Sequence, residues 1–97
     1  MYTSIRKYQI RSSAEFTRLV NEGFLPIISG AAGFIAYYGI DTGDGTWTSV
    51  SVFETKEEAD DSNHLAADFV KEHLRPLIIA GPEITIGTLV VDSSRSR

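Results

Sequence analysis

Thr46 to Phe53, TWTSVSVF, alternates as a β-strand does, and both of its faces carry large apolar side chains. Trp47, Ser49, Ser51 and Phe53 fall on one side, and Thr48, Val50 and Val52 on the other. Ile84 to Val91 behaves alike, with Ile84, Ile86 and Val90 against Leu89 and Val91. Two more strands are expected. Tyr2 to Ile10 puts Tyr2, Ser4, Arg6, Tyr8 and Ile10 on one face, and Phe34 to Ile40 is rich in aromatic and β-branched residues. A sheet built from such strands needs apolar cover on both sides.

The chain supplies two helices for that cover. Ser12 with Glu15 forms a capping pattern, and Phe16, Leu19, Val20, Gly23, Phe24, Ile27 and Ile28 then follow helical spacing. That stripe runs through Pro26, so a kink is expected there. The second helix spans Thr55 to Pro76, opened by a Thr55–Glu58 capping box and closed by the proline. Its apolar sector holds Ala59, Ala66, Val70 and Leu77, flanked by Phe69 and Leu74. Two polar residues interrupt it, Asn63 near the middle and His73 near the edge.

The order is β-α-β-β-α-β, which predicts an α+β, ferredoxin-like domain over residues 1–92 with a polar tail at 93–97. Four antiparallel strands would carry both helices on one face. The other apolar face then calls for a second copy related by a two-fold axis, so a homodimer through the open sheet face is expected.

Composition narrows the function classes. A net charge of −4 over 97 residues argues against nucleic acid. No cysteine means no disulfide framework and no thiolate metal site, which points to a reducing, cytoplasmic setting. MYTSIRKYQIR lacks the apolar core of a signal peptide. Gly23 to Ile40 is uncharged and nearly long enough to span a membrane, yet its glycines, Pro26 and one-sided stripe favour a soluble reading. Asp41 to Gly45, DTGDG, reads as a hairpin loop; a calcium loop would need Glu where Val52 stands. His64 and His73 fall on different helix faces, so no metal site is expected. His64 reads as surface, and His73 as a base or a helix-dipole partner. No nucleophile triad, phosphate loop or paired-carboxylate spacing is present.

Three stretches together, GFIAYY, VSVFET before the capped helix, and PEITIGTLVV, resemble the dimeric α+β barrel superfamily. The resemblance covers nearly the whole chain and is nearest to the antibiotic-biosynthesis-monooxygenase-like group. It implies a barrel formed by two sheets at a dimer interface, with a pocket in each subunit between sheet and helices. Some members oxygenate electron-rich aromatic substrates without metal or flavin, some degrade haem, and many have no known activity. The haem-degrading pattern of strand Trp, helix His and first-strand Asn is replaced here by Phe53, Asn63 and Ser4 or Arg6. Without an axial His, that mode of haem binding is not expected, and no cofactor is implied.

The implied catalytic candidates are Asn63 and Arg6. Trp47, Ser49, Ser51, Phe53, Tyr8, Tyr38 and Phe69 would line a pocket for a small aromatic ligand. Each has a structural alternative. Asn63 could bond a neighbouring backbone group or strand hydroxyl, Arg6 could pair with a carboxylate or snorkel outward, and only one of Tyr37 and Tyr38 can face the pocket. The expected activity is a cofactor-independent monooxygenase acting on an aromatic or polyketide-like molecule. The alternative is a non-catalytic dimeric ligand-binding or interaction module. A continuous cavity of ~300 Å³ reaching Asn63 would favour a ligand site; packed aromatic side chains would leave no room for one.

Overall fold

Alternation in sequence becomes alternation in burial. In the computed structural model, which describes residues 1–93, strand β1 (Tyr2–Ile10) buries Ser4, Arg6, Tyr8 and Ile10 and leaves Lys7 exposed between them. β2 (Phe34–Asp41) and β3 (Thr46–Phe53) form the hairpin expected around DTGDG. β1 pairs antiparallel with both β3 and β4 (Ile78–Thr88), giving the order β2-β3-β1-β4. β1 and β3 are therefore central, and their inward side chains lie beneath the helices. This is the four-stranded antiparallel, ferredoxin-like α+β arrangement.

The first helical arm comprises α1 (Ser13–Leu19), a π-helical turn (Val20–Phe24) and α2 (Leu25–Ser29). Ser12 caps it, accepting the Glu15 amide at 3.3 Å. The kink expected at Pro26 is resolved differently. One extra residue is wound into the preceding turn, so the Leu25 N–H reaches back to the Val20 carbonyl. Pro26 then sits in the first turn of α2, where an amide hydrogen has no intrahelical partner to lose. The widened turn also brings Gly23 against the second arm. A Cβ there would lie 2.7 Å from the Phe69 ring, so only glycine permits this approach.

The second arm is α3 (Lys56–Phe69), a π-helical turn (Val70–Leu74) and a short 3₁₀ turn (Arg75–Leu77). Both halves of its capping box form, with the Glu58 amide on Thr55 Oγ1 at 3.2 Å and the Thr55 amide on Glu58 Oε1 at 3.1 Å. Its buried face is Ala59, Ser62, Ala66, Phe69 and Leu74. Ser62 is accommodated by donating to the Ala59 carbonyl at 2.6 Å.

β4 departs from expectation. The strand expected over Ile84–Val91 runs instead from Ile78 to Thr88, straight through Gly81-Pro82, a pair with the local marks of a turn, with register shifts opposite Lys7–Ile10. Pro82 cannot donate to a ladder, but an edge strand with a bulge absorbs that loss. After Thr88 the Leu89 amide donates to the Met1 carbonyl at 2.9 Å, and Val90 and Val91 are exposed.

Both arms pack on the face bearing Tyr8, Trp47 and Phe53. On the opposite face Ile35, Tyr38 and Ile40 are exposed around Val50 and Val52. No described helix is long and apolar enough to cross a membrane. The polar tail expected at 93–97 lies, beyond Ser93, outside the described residues.

Candidate functional site

Arg6 is the middle of the central strand, and alternation turns it inward under α3, where it is 1 % exposed. Burying a guanidinium costs several kcal/mol unless its charge and donors are matched. No carboxylate matches it: among the described residues, no ion pair includes Arg6. Its partners are neutral oxygens. Nη1 donates to Asn63 Oδ1 at 2.7 Å and stands 3.5 Å from Ser4 Oγ, while Nη2 donates to Ser51 Oγ at 2.8 Å. The Phe24 ring lies beneath, 6.0 Å from Cζ to centroid. Burial lowers the Arg6 pKa, opposed by the phenols of Tyr8 and Tyr37.

Asn63 projects from α3 onto β1. Its Oδ1 accepts from Arg6 and also from Ser4 Oγ, at 2.8 Å. A guanidinium can only donate, so the amide oxygen must face Arg6 and both Nδ2 hydrogens are left for other acceptors. The strand-hydroxyl alternative for Asn63 is thus realised together with a bond to Arg6. Arg6 itself neither pairs with a carboxylate nor reaches outward.

Around this pair the wall is aromatic. Tyr8, Phe16 and Trp47 stack in series at 5.6 and 4.9 Å, and Tyr37, Phe24 and Phe69 at 5.7 and 5.5 Å. Trp47 is fixed by its Nε1 donating to Thr17 Oγ1 at 3.0 Å, and by Gly39, where a Cβ would lie 2.6 Å from the indole. The rings line a cavity of about 20 Å³, room for roughly one water. Ser49 Oγ is buried on its wall with no hydrogen-bond partner. A cleft of about 180 Å³ lies beyond Val20, Tyr37 and Trp47, and one of about 140 Å³ beyond Arg6, Tyr8 and Val70. Side chains thus divide the interior into three spaces, and the one reaching Asn63 is smaller than ~300 Å³.

Burial pushes the Tyr37 phenol up to about 12, with Arg6 pulling it back, and raises Tyr8 against the same pull from Arg6. Both phenols stay protonated near neutrality. Neither is a base.

The structure brings Arg6, Tyr8, Trp47, Ser49, Asn63 and Phe69 to these cavity walls, with Ser51 behind Arg6. Two expected lining residues lie elsewhere. Phe53 is wholly buried against Phe34, 5.9 Å between rings, and lines none of the three spaces. Tyr38 is 59 % exposed on the opposite sheet face, and Tyr37 holds the inner place. The signal for that assignment was present. With Asp41 opposite Trp47, counting back from the turn sets Tyr37 opposite Ser51 and Tyr38 opposite Val50. Phe16 and Phe24, read only as part of the helical stripe, complete the site, and Ser4, named only against the haem-degrading pattern, joins it through Asn63. His73 rests on Phe69 at the exposed end of the second arm, and His64 is exposed. No group of three metal-binding side chains occurs among the described residues.

Solved structures share this architecture. A protein of unknown function from Nitrosomonas europaea, NE2512, superposes with a TM-score of 0.76 at 14% identity, covering 98% of this chain and 94% of its own. The monooxygenase ActVA-Orf6 of Streptomyces coelicolor, solved with the ligand Nanaomycin D, gives 0.74 at 15%, covering 98% and 92%. SnoaB, a cofactor-independent oxygenase from Streptomyces nogalater, gives 0.72 at 15%, covering 94% of each chain. The fold is that of the antibiotic biosynthesis monooxygenase-like proteins. No family model and no curated protein sequence matches the chain.

Two outcomes follow from the buried charge. Arg6→Met should keep stability to urea within about 1 kcal/mol of wild type, because an apolar chain of similar shape removes the desolvation cost while Asn63 retains Ser4. A loss of about 3 kcal/mol or more would assign Arg6 a structural role. Tyr37 has a folded pKa of about 12 against an ordinary 10.0, so the unfolded chain ionises first. Its contribution is complete below pH 10 and erodes from there to about 12. Urea midpoints across that window should fall more steeply for wild type than for Tyr37→Phe.

Proposed function

We propose that the chain is a small oxygenase-like enzyme, acting without metal or flavin on an electron-rich aromatic or polyketide-like molecule, and working as a homodimer. The observation that carries this reading is a buried arginine held only by neutral partners, with no carboxylate partner among the described residues and with aromatic walls. Such a site lacks one negative charge. A substrate phenolate or enolate supplies it.

Arg6 favours the deprotonated substrate in a dry setting, where its charge acts more strongly than in water. The Asn63 amide and the protonated phenols of Tyr8 and Tyr37 can donate to the same oxygen. The negative charge delocalises to a ring or methylene carbon, which transfers electrons to O₂ and forms a carbon–oxygen bond. The resulting substrate peroxide takes up a proton and loses water, leaving a carbonyl. The side chains stabilise the anion and hold its orientation; the substrate provides the electrons. SnoaB, with the same fold, is described as a cofactor-independent oxygenase, and that likeness supports this chemistry.

A second reading rests on the cavities. Trp47, Tyr37 and Val20 separate spaces of about 20 and 180 Å³, which suits a non-catalytic dimer that holds a small ligand. Oxygen uptake with anthrone-like and quinol substrates separates the two. Wild type should consume oxygen, and Arg6→Met and Asn63→Ala should each slow it by about 10²-fold, as loss of an oxyanion donor does. Equal rates in all three would remove these residues from the reaction. Absent uptake across the panel, with ligand still bound, would establish the binding module.

The open sheet face supports the dimer. Ile35, Tyr38 and Ile40 are exposed there, the first two lining a depression of about 320 Å³ floored by Val50 and Val52, and Thr3 Oγ1 is buried beside it without a partner. Light scattering should return twice the chain mass of 10.7 kDa. Val50→Lys should shift the population toward single chains, since it places a charge on the apolar face. A wild-type protein that stays single-chain at micromolar concentration would overturn the dimer.

A further inference from the structure

The cleft of about 140 Å³ between the second helical arm and β4 has an unusual electrostatic make-up. Arg6 and Asn63 form part of its wall, Lys71 and Arg75 line it from the exposed end of the arm, and Tyr8 and Ile84 contribute ring and aliphatic surface. Ile84 is there because β4 pairs it with Arg6, on the same face. Three cations thus line one small cleft in a chain of net charge −4. No acidic residue lines it: Asp68 and Glu72 on the arm and Glu83 on β4 are all outside the wall.

Elsewhere on the surface, helix cations are matched. Arg18 pairs with Glu15 and Glu22, and Lys56 with Asp60. Lys71 and Arg75 form no such pair among the described residues. Cations near a helix C-terminus also suit the helix dipole, which would explain Lys71 and Arg75 without a ligand. The dipole does not explain why they share a wall with a buried, carboxylate-free Arg6. Nor does it explain the Asn63 amide, whose two hydrogens are left free by the bond from Arg6.

We infer that this cleft binds an aromatic monocarboxylate, its carboxylate between Lys71 and Arg75 and its ring hydroxyl or carbonyl directed to Arg6 and Asn63. The volume suits a single ring, and the aliphatic and aromatic walls suit its faces. A carboxylate at the rim keeps most of its hydration while gaining two cations. An uncharged analogue gains neither. The inference rests on the substrate-binding reading of Arg6 but not on any reaction with oxygen.

The test is calorimetric titration of the whole chain with 4-hydroxybenzoate and with the uncharged 4-hydroxybenzamide. The acid should bind about tenfold more tightly than the amide, the gain that two exposed ion pairs supply together. That preference should shrink as salt is raised. In the double variant Lys71→Gln, Arg75→Gln the preference should vanish while the amide affinity is unchanged. Both residues are exposed, so folding is retained, and a circular-dichroism melt checks it. Equal affinity for acid and amide, a preference that survives the double substitution, or no binding of either compound would overturn the inference. A variant that melts earlier yet binds the acid unchanged would assign both cations to the helix dipole and overturn it too. A protein that prefers the acid but consumes no oxygen keeps this inference and loses the oxygenase reading; oxygen uptake without acid preference does the reverse.

Discussion

A guanidinium buried without an acid is the constraint on which the interior is arranged. Arg6 can stay ionised there only if its donors find acceptors, and three neutral oxygens provide them: Asn63 and Ser51 in direct bonds, Ser4 more weakly. Each comes from a place that the topology dictates. Ser4 is two residues back on the same strand and face, Ser51 belongs to the neighbouring strand, and Asn63 crosses from the helix above. The Phe24 ring and two phenols add polarisable and dipolar surface rather than counter-charge. Neutral partners lower the cost of burial without cancelling the charge. Attraction for an anion therefore remains built into the core.

Much of this was readable before any coordinates. The period-two patterns gave the central strands, and the Thr55–Glu58 box gave the start of α3, because those signals depend on neighbours in sequence. Asn63 was conspicuous as an amide in an apolar sector, while Arg6 came to the pocket only through the family resemblance. What misled was information held between segments. Pro26 demanded a break in the hydrogen-bond ladder, but whether the helix bends or winds in one extra residue depends on what packs beside it, here Phe69 against Gly23. Gly81-Pro82 carries every local mark of a turn, yet β1 holds that segment as an edge strand. Phe53 and Trp47 share a face, but they lie at opposite ends of β3, and only Trp47 reaches the cavities. Face follows from parity; position along the strand decides what a side chain touches.

The same structure ranks the walls that a bound molecule would have to move. A ligand larger than a water enters the central cavity only by displacing a partition on one side or the other. On one side stands Arg6, tied to two elements by bonds of 2.7 and 2.8 Å that would have to break with a charge still buried. On the other stands Trp47, held by a single neutral bond to Thr17 worth about 1 kcal/mol, with a cleft of about 180 Å³ already behind it. Moving Trp47 sacrifices ring contacts that a flat aromatic ligand would restore; moving Arg6 sacrifices charge compensation that nothing apolar can restore. The interior should therefore widen toward Trp47 while the guanidinium stays in place. A polycyclic substrate of the proposed kind would find its space on the yielding side, with its anionic oxygen held against the side that does not yield, whereas a single-ring carboxylate fits the cleft beyond Arg6 with neither wall moved.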